Sequence, residues 1–563
     1  MSSHFITVCQ DCGSKSPFLP GSPACPKCGS FWREAVYDYE TLAYTLPVLL
    51  PGRPFDLWRY RELLPIRDPN PDLSLGEGGT PLIRAKNFGL MLGMPNIYIK
   101  DERQGPTSSF KDRQAALMIA ALKEAGINEM VCASTGNVAI SYSAYAARAG
   151  IKLWAFLTSL VPAAKMREVA LYGTQVVKIT GTYDEAKQMA AEFAKQRNLY
   201  LDLGARSIPC IESMKTVSFE IAEQLTALFG SEESTDENMR SAPWRSPDWY
   251  FQSVSGGLGP LGVMKGFKEL HTMGLTSSEP KIGIVQAEGC APMVHAWVQG
   301  KDTAIPVKSP NTLIATLATG DPARTYSEIY KRVKNFNGGS FESVSDEEAY
   351  RAMHIMAKLE GISVEPAAAV AFAGLIKMVR AGKVKQDEVV VVNCTGHTMP
   401  IDRNILGEGW ERNINLSSDS LYEEGKEEGL LAALSSVGVD RFPRIAIVDD
   451  EPNVRTLMRR ILQSQGNYEL LEATNGKDAV EMIVKERPNL ILLDLMMPDM
   501  DGFQVMDALQ SRKETKDIPI IVITAKELTP AENKRLKGHI QSLMQKGDFM
   551  NDDLTDEVKA LLK

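Results

Sequence analysis

Long runs of one charge sign and long apolar runs are both missing from this chain. Its net charge is −9 and it has no extended basic stretch, which argues against a nucleic-acid footprint. No apolar run approaches the ~20 residues of a membrane-spanning helix; Val389 to Val392 reads as a buried strand. The first residues, Met-Ser-Ser-His-Phe, lack a basic region followed by an apolar one, so no secretory signal is expected and the cytoplasm is the expected compartment. Histidine is scarce, with six residues and none at metal-ligand spacing; only His397 falls inside a motif of interest. What remains is an ordinary globular composition, 44% hydrophobic and 24% charged, in 563 residues, room for several domains each with its own core.

Cysteine is sparse as well, at eight, yet four are clustered as Cys9-x2-Cys12-x12-Cys25-x2-Cys28. Gly13 and Gly29 follow the second cysteine of each pair and allow the tight knuckle that turns two thiolates onto one ion. The pattern predicts a structural zinc site, closed because all four ligands are thiolates. Two disulfides are the alternative, disfavoured by a reducing compartment. Cys132, Cys210, Cys290 and Cys394 stand singly in apolar surroundings and read as core residues.

Three short segments carry most of the chemistry. Lys111, in Gly105-Pro-Thr-Ser-Ser-Phe-Lys-Asp-Arg113, lies between a strand pattern at 96–99 and a helix pattern at 114–125. An amine at a strand-to-helix turn meets backbone N–H groups and a positive helix end, which disfavour the ammonium and attract phosphate. The neutral amine of such a lysine is what attacks an aldehyde to form a Schiff base. Ser134-Thr135-Gly136-Asn137 follows a strand at 129–133 and opens a helix at 138–149, a cradle for a substrate carboxylate; an ordinary helix cap is the plainer reading. Ser255-Gly-Gly-Leu-Gly-Pro-Leu-Gly262 joins a strand at 249–254 to a helix at 263–271, and its glycines let backbone approach a phosphate. It lacks the Lys-Ser/Thr ending of a nucleotide loop, which argues against ATP.

In this order, and with Gly76-Glu-Gly-Gly-Thr-Pro81, Val364-Glu-Pro366 and Cys394-Thr-Gly-His397, these segments make residues 1–410 resemble the fold-type II pyridoxal-phosphate enzymes, among them threonine synthase. The resemblance implies an α/β fold with two parallel-sheet subdomains behind the N-terminal zinc ribbon, a ribbon that some threonine synthases share. It implies that Lys111, with Phe110 beside it, carries pyridoxal 5'-phosphate. Asn137 would bond the cofactor's ring hydroxyl, Gly256, Gly257, Leu258 and Gly259 would hold its phosphate, and Thr395 would face the pyridine nitrogen. Ser134, Thr135 and Lys215 join the expected substrate contacts.

Residues 35–75, rich in Pro, Arg and Tyr, read as an irregular lead-in, and strands and helices alternate from 76 to about 400. The acidic stretch 231–246 reads as a surface insertion, and the region around Glu423-Glu-Gly-Lys-Glu-Glu428 as a linker. Beyond it, strand patterns at 444–448, 490–493 and 518–523 lead to Asp449-Asp450-Glu451, to Asp494 and to Thr524, with Lys546 after a last short strand. Carboxylates at parallel strand ends converge on one sheet edge and suit magnesium. This segment resembles a two-component receiver domain, flavodoxin-like in fold, with Asp494 as phosphoacceptor, Asp449 and Asp450 completing the metal site, and Thr524 and Lys546 contacting the phosphoryl group. Gly547 stands where receivers usually have proline, which points to a different loop path, and Leu543 stands where an aromatic switch residue usually lies. The expected domains are therefore 1–34 (ribbon), 35–410 (catalytic), 411–442 (linker) and 443–563 (receiver).

Threonine synthases typically carry Asn-Ser-x-Asn-Pro-x-Arg-x-x-Gly-x-Lys-Thr, whose Ser, Asn and Arg hold the phosphate of O-phosphohomoserine. Here Ala205, Ser207 and Cys210 stand at those three positions, Lys215-Thr216 remain, and Arg206 and Lys215 are the candidate replacements. The resemblance implies a lyase that converts O-phosphohomoserine and water to threonine and phosphate. The alternatives are β-elimination or β-replacement on serine, threonine or O-phosphoserine, and a non-catalytic metabolite sensor. An amino-acid substrate, a sensor histidine kinase or phosphotransfer protein as phosphodonor, and a homodimer complete the expectations.

Overall fold

The computed structural model describes residues 4–134, 136–158, 161–180, 183–230, 243–335, 338–397, 443–465, 468–526, 528–546 and 552–562. It divides into two compact units, one of residues 1–86, 95–357 and 362–399, the other of 87–94, 358–361 and 400–563. The linker expected at 411–442 lies outside the described residues.

In the first unit, the ribbon is a three-stranded antiparallel sheet of Lys15–Ser16, Phe5–Cys9 and Arg33–Tyr37. The last strand pairs Phe5 with Tyr37, so the boundary expected at 34 falls inside a strand. Nor is the lead-in irregular: Asp38 caps the helix Tyr39–Leu49 by accepting from the Thr41 N–H, and a 3-10 helix follows at Leu57–Leu63. Pro47 hid this helix in the sequence; it sits in the last turn.

Two sheets form the rest of the unit. The larger runs Gly339–Val344, Lys281–Ala287, Trp249–Ser253, Val390–Cys394, Ile97–Asp101 and Leu82–Arg84, parallel except for its last pair. The smaller is parallel throughout, in the order Gln175–Ile179, Lys152–Thr158, Glu129–Ser134 and Tyr200–Leu201. The central strands are buried along their whole length, and Val389 to Val392 reads as a continuous apolar run for that reason. Within the stretch expected to be a surface insertion, residues 231–242 lie outside the described residues. Trp244 and Ser246, by contrast, are buried, with the Trp244 N–H donating to the Leu275 carbonyl at 2.9 Å. The indole anchors the returning chain.

The second unit contains a five-stranded parallel sheet in the order Glu469–Ala473, Arg444–Val448, Leu490–Leu493, Ile520–Thr524 and Ser542–Gln545. That order, with the first strand second from the edge, is the flavodoxin-like arrangement. Among the described residues no helix is long and apolar enough to cross a membrane.

Candidate active site

Strand register brings the key loops together. Val390–Cys394 and Ile97–Asp101 are neighbours, with Cys394 opposite Asp101, so the segments after them run side by side. There the Phe110 N–H donates to the Thr395 carbonyl and the His397 N–H to the Ser108 carbonyl, each at 3.0 Å. Ser108 takes a positive φ of 57°, a conformation that costs a non-glycine residue energy at this turn. Asp112 braces the turn by accepting from the Thr107 N–H at 2.9 Å and from the Thr107 hydroxyl. Lys111 is the first residue of the helix Lys111–Glu124, which therefore begins three residues before the expected 114. Its Ala, Leu and Met content favours helix, and Gly126 at φ 72° ends it.

The Lys111 side chain opens into a cavity of about 520 Å³ that is also lined by Phe110, Asn137, residues 256–259 and Thr395, so every expected cofactor contact is brought to one place. Burial is the main cause that pushes the Lys111 amine down to about 8, against smaller upward pulls from Cys210, Asp202 and Glu365. Its Nζ lies 4.1 Å from the centroid of the Phe110 ring.

Three helices, Lys111–Glu124, Asn137–Ala149 and Leu258–Thr272, start at this cavity, and the cap residue of each, Phe110, Gly136 and Gly257, makes no side-chain bond to the first turn. The first N–H groups of Leu258–Thr272, behind Gly256 and Gly257, suit an anion. The third helix begins five residues before the expected 263, so Leu258 and Gly259 belong to its first turn. Gly257, its cap, has φ +89°, and a Cβ there would sit 2.8 Å from Ile329 Cδ1, whereas a Cβ on Gly256 would meet nothing within 4 Å. One glycine is required by the turn; the other leaves open space in front of the helix end. The donors and the space fit a phosphorylated pyridine aldehyde whose aldehyde carbon reaches Lys111. Asn137 donates from Nδ2 to Glu365 at 2.9 and 3.1 Å and accepts from Lys165 Nζ at 2.7 Å, which fixes the orientation of its amide.

Two expected substrate contacts are corrected. The Ser134 hydroxyl is buried and accepts from the N–H groups of Gly136 and Ala139 at 3.0 and 3.1 Å, so it stabilises the turn instead of facing a ligand. Lys215 does not line the cavity: its ammonium is fully buried, 2.5 Å from Glu212 and 2.9 Å from Glu269, beneath the helix Leu258–Thr272. Thr135 lies outside the described residues. Arg206 does line the cavity and has no carboxylate partner among the described residues.

Other lining residues carried no sequence signal or a faint one. Gln114 sits one turn after Lys111 on the same face; it is buried, and its Oε1 accepts no hydrogen bond. Asp202 ends the short strand Tyr200–Leu201; burial raises its carboxyl pKa, and its Oδ1 accepts from the Gly204 N–H at 3.1 Å.

At the ribbon, the ligand atoms of Cys9, Cys12, Cys25 and Cys28 lie within 4.8 Å of one another, with Cys9–Cys28 and Cys12–Cys25 Sγ separations of 3.5 and 3.8 Å. A tetrahedron with Zn–S bonds of about 2.3 Å has edges of about 3.8 Å, so the thiols fit one ion. Gly13 and Gly29 both take positive φ, as the knuckles require.

In the second unit, Asp449, Asp450 and Asp494 likewise bring carboxylate oxygens within 4.8 Å. The Oδ2 atoms of Asp449 and Asp494 are buried against the Lys546 ammonium, and three carboxylates this close suit a divalent ion. Lys546 Nζ lies 2.7 Å from Asp494 and 3.0 Å from both Asp449 and Glu451; this last neighbour was not anticipated as a contact. Thr524 is the last residue of its strand, and its hydroxyl accepts from the Lys526 N–H at 3.2 Å. Leu543 is 42% exposed, and Gly547 lies outside the described residues.

Comparison with known proteins agrees with this geometry. The pattern of the family described as "Pyridoxal-phosphate dependent enzyme" matches residues 73–396, and that of "Response regulator receiver domain" matches 445–559. Threonine synthase of Methanocaldococcus jannaschii is 35% identical over 376 residues, 66% of this chain and 87% of the relative. Threonine synthase of Methanosarcina acetivorans is 32% identical over 400 residues, 71% of this chain and 93% of the relative. Among solved structures, diaminopropionate ammonia lyase from Escherichia coli shares the fold at a TM-score of 0.50 and 16% identity, covering 66% of this chain and 92% of that one.

Proposed function

The chain belongs to the pyridoxal-phosphate dependent enzymes, as a threonine synthase-like lyase with a C-terminal receiver domain, and from that premise we propose that it converts O-phosphohomoserine and water to threonine and phosphate. The receiver serves as a phosphorylatable regulatory or tethering module. The observation that carries this reading is Arg206, a cation with no carboxylate partner among the described residues, in the same cavity as Lys111. The family's phosphate-holding arginine is replaced here by Cys210, and Arg206 supplies the missing fork for a phosphate dianion.

Pyridoxal phosphate, when bound, supplies an electron sink for carbanionic charge beside the substrate amino group. Lys111 would hold it covalently. The N–H groups at Leu258 and Gly259 would hold its phosphate, Asn137 would offer its amide to the ring hydroxyl, and Thr395 would offer a hydroxyl to the ring nitrogen. As a free amine, Lys111 is held down to about 8 by burial and would serve as the base of the site. It would take a proton from the substrate Cα and from Cβ as the γ-phosphate leaves, give one to Cγ, take one from the water that adds at Cβ and return one to Cα. The four cysteines would hold zinc as a structural ion, and the three aspartates magnesium.

A second reading has its own support. Asp202 and the unbonded Gln114 Oε1 offer acceptors to a donor such as a hydroxyl, which favours β-elimination from serine or threonine. A substrate panel separates the two. Phosphate and threonine formed from O-phosphohomoserine support the first reading; keto acid and ammonia from serine or threonine, with no phosphate release from O-phosphohomoserine, overturn it.

A further inference from the structure

We propose that the N-terminal ribbon is part of the substrate site, with Phe31, Trp32 and Asp11 holding Arg206 and Arg324 at the cavity mouth as a two-arginine clamp for a phosphomonoester dianion. The inference rests on the O-phosphohomoserine reading of the same cavity. Trp32, four residues after the last cysteine, forms part of the wall of the cavity that contains Lys111. The Arg324 guanidinium lies 5.0 Å from the centroid of the Trp32 ring. Its Nη1 donates to Asp11, which sits between the cysteines of the first knuckle, and its Nε donates to Glu328 at 2.9 Å. Those two ion pairs leave Nη2 for a ligand. The Arg206 guanidinium lies 5.9 Å from the Phe31 ring and also lines the cavity.

Arginines at an open mouth lose side-chain freedom when they grip a ligand, and that loss subtracts from affinity. Stacking on an aromatic face and pairing with a fixed carboxylate restrict them beforehand. The knuckles give Asp11, Phe31 and Trp32 fixed positions, so the ribbon supplies this restriction to two cations that come from distant parts of the chain. Arg206 and Arg324 are the binding groups; Phe31, Trp32 and Asp11 are positioning residues.

The test titrates inorganic phosphate into the pyridoxal-phosphate-loaded protein by calorimetry and compares variants. Arg206→Ala and Arg324→Ala should each weaken phosphate by about tenfold or more, as loss of a charge-assisted pair requires. Trp32→Ala and Asp11→Asn should weaken it by about three- to tenfold, Trp32→Phe should restore it, and the cofactor absorbance should not change in any of them. With O-phosphohomoserine, the same ribbon variants should raise KM and leave kcat within about twofold. Should Trp32→Ala fail to fold, Asp11→Asn and Phe31→Leu carry the comparison. Unaltered phosphate affinity in the arginine or ribbon variants, or no phosphate binding by the unaltered protein, overturns the proposal. Phosphate binding that depends on both arginines, in a protein that releases none from O-phosphohomoserine, instead defeats the substrate reading and leaves the clamp standing.

Discussion

Raising the pH from 7 to 9 should accelerate the capture of pyridoxal phosphate by cofactor-stripped protein, with a midpoint near the pKa of about 8 to which burial lowers the Lys111 amine. Only the neutral amine attacks an aldehyde. At pH 7.5 about a quarter of an amine titrating at about 8 is neutral, against about 0.1% of an ordinary lysine, so the reactive fraction rises about 200-fold. The sign follows from burial: the ammonium is the form penalised, so the proton leaves at lower pH and the rate climbs through about 8 and levels above it. Stopped-flow absorbance on mixing stripped protein with the aldehyde reads this directly. Asp202 pulls the Lys111 pKa upward, so Asp202→Asn should move the midpoint lower. A rate still climbing at pH 10, or a midpoint that rises in Asp202→Asn, would refute the assignment of burial as the dominant cause.

Four further outcomes follow from the same geometry. Metal analysis of protein prepared without chelator should find one zinc per chain, lost in Cys25→Ser together with protease resistance of the ribbon; zinc-free native protein refutes the site. Gly257→Ala, at φ +89° and 2.8 Å from Ile329 Cδ1, should cost about 1–3 kcal/mol in denaturant unfolding and loosen the cofactor about tenfold, and unchanged cofactor affinity would exclude that turn from the phosphate cradle. Lys215→Met breaks a buried ion network and should cost about 3–5 kcal/mol of stability with little change in KM; a raised KM at full stability would return Lys215 to the substrate site. Beryllofluoride with Mg²⁺ should bind the unaltered receiver but not Asp494→Asn; a change in lyase kinetics on binding means regulation, and identical kinetics mean a tether.

Helix and strand positions were legible wherever periodicity was strong. The strands Arg444–Val448 and Leu490–Leu493 have the expected bounds. Helix starts were missed by several residues at Lys111 and Leu258 because turn-like Asp-Arg and Gly-Pro steps form the first helical turn, where a missing N–H or a flexible φ costs little. The residues expected to contact the cofactor line one cavity, and they were legible because each lies in a contiguous motif. The walls of the cavity were not: Asp202, Trp32 and Arg324 reach it from separate elements, and no spacing along the chain encodes that meeting. Lys215 misled for the opposite reason. It sits in a motif, but Glu212 and Glu269 neutralise it in the interior. The low pKa of Lys111 was expected from the helix end, while burial is its main cause.

In the receiver unit the chemistry and the readout separate. Lys546 pairs with Asp494, Asp449 and Glu451. A divalent ion on the three aspartates repels that ammonium, and a phosphoryl group on Asp494 gives it a new anionic partner. Lys546 therefore changes partners, and its backbone is bonded to the Thr524 carbonyl at 3.0 Å. Leu543 has no ring to turn inward and no polar atom with which to follow Thr524. What remains to carry the displacement is the backbone pairing of Ile520–Thr524 with Ser542–Gln545, whose register joins Val522 to Leu543 and Thr524 to Gln545. Ser542–Gln545 is an edge strand, bonded on one side only within its sheet. An edge strand resists a small shift less than an interior one, since only one ladder of hydrogen bonds opposes it. Phosphorylation of Asp494 is therefore expected to move that strand first, which amide exchange at 542–545 with and without beryllofluoride and Mg²⁺ would read.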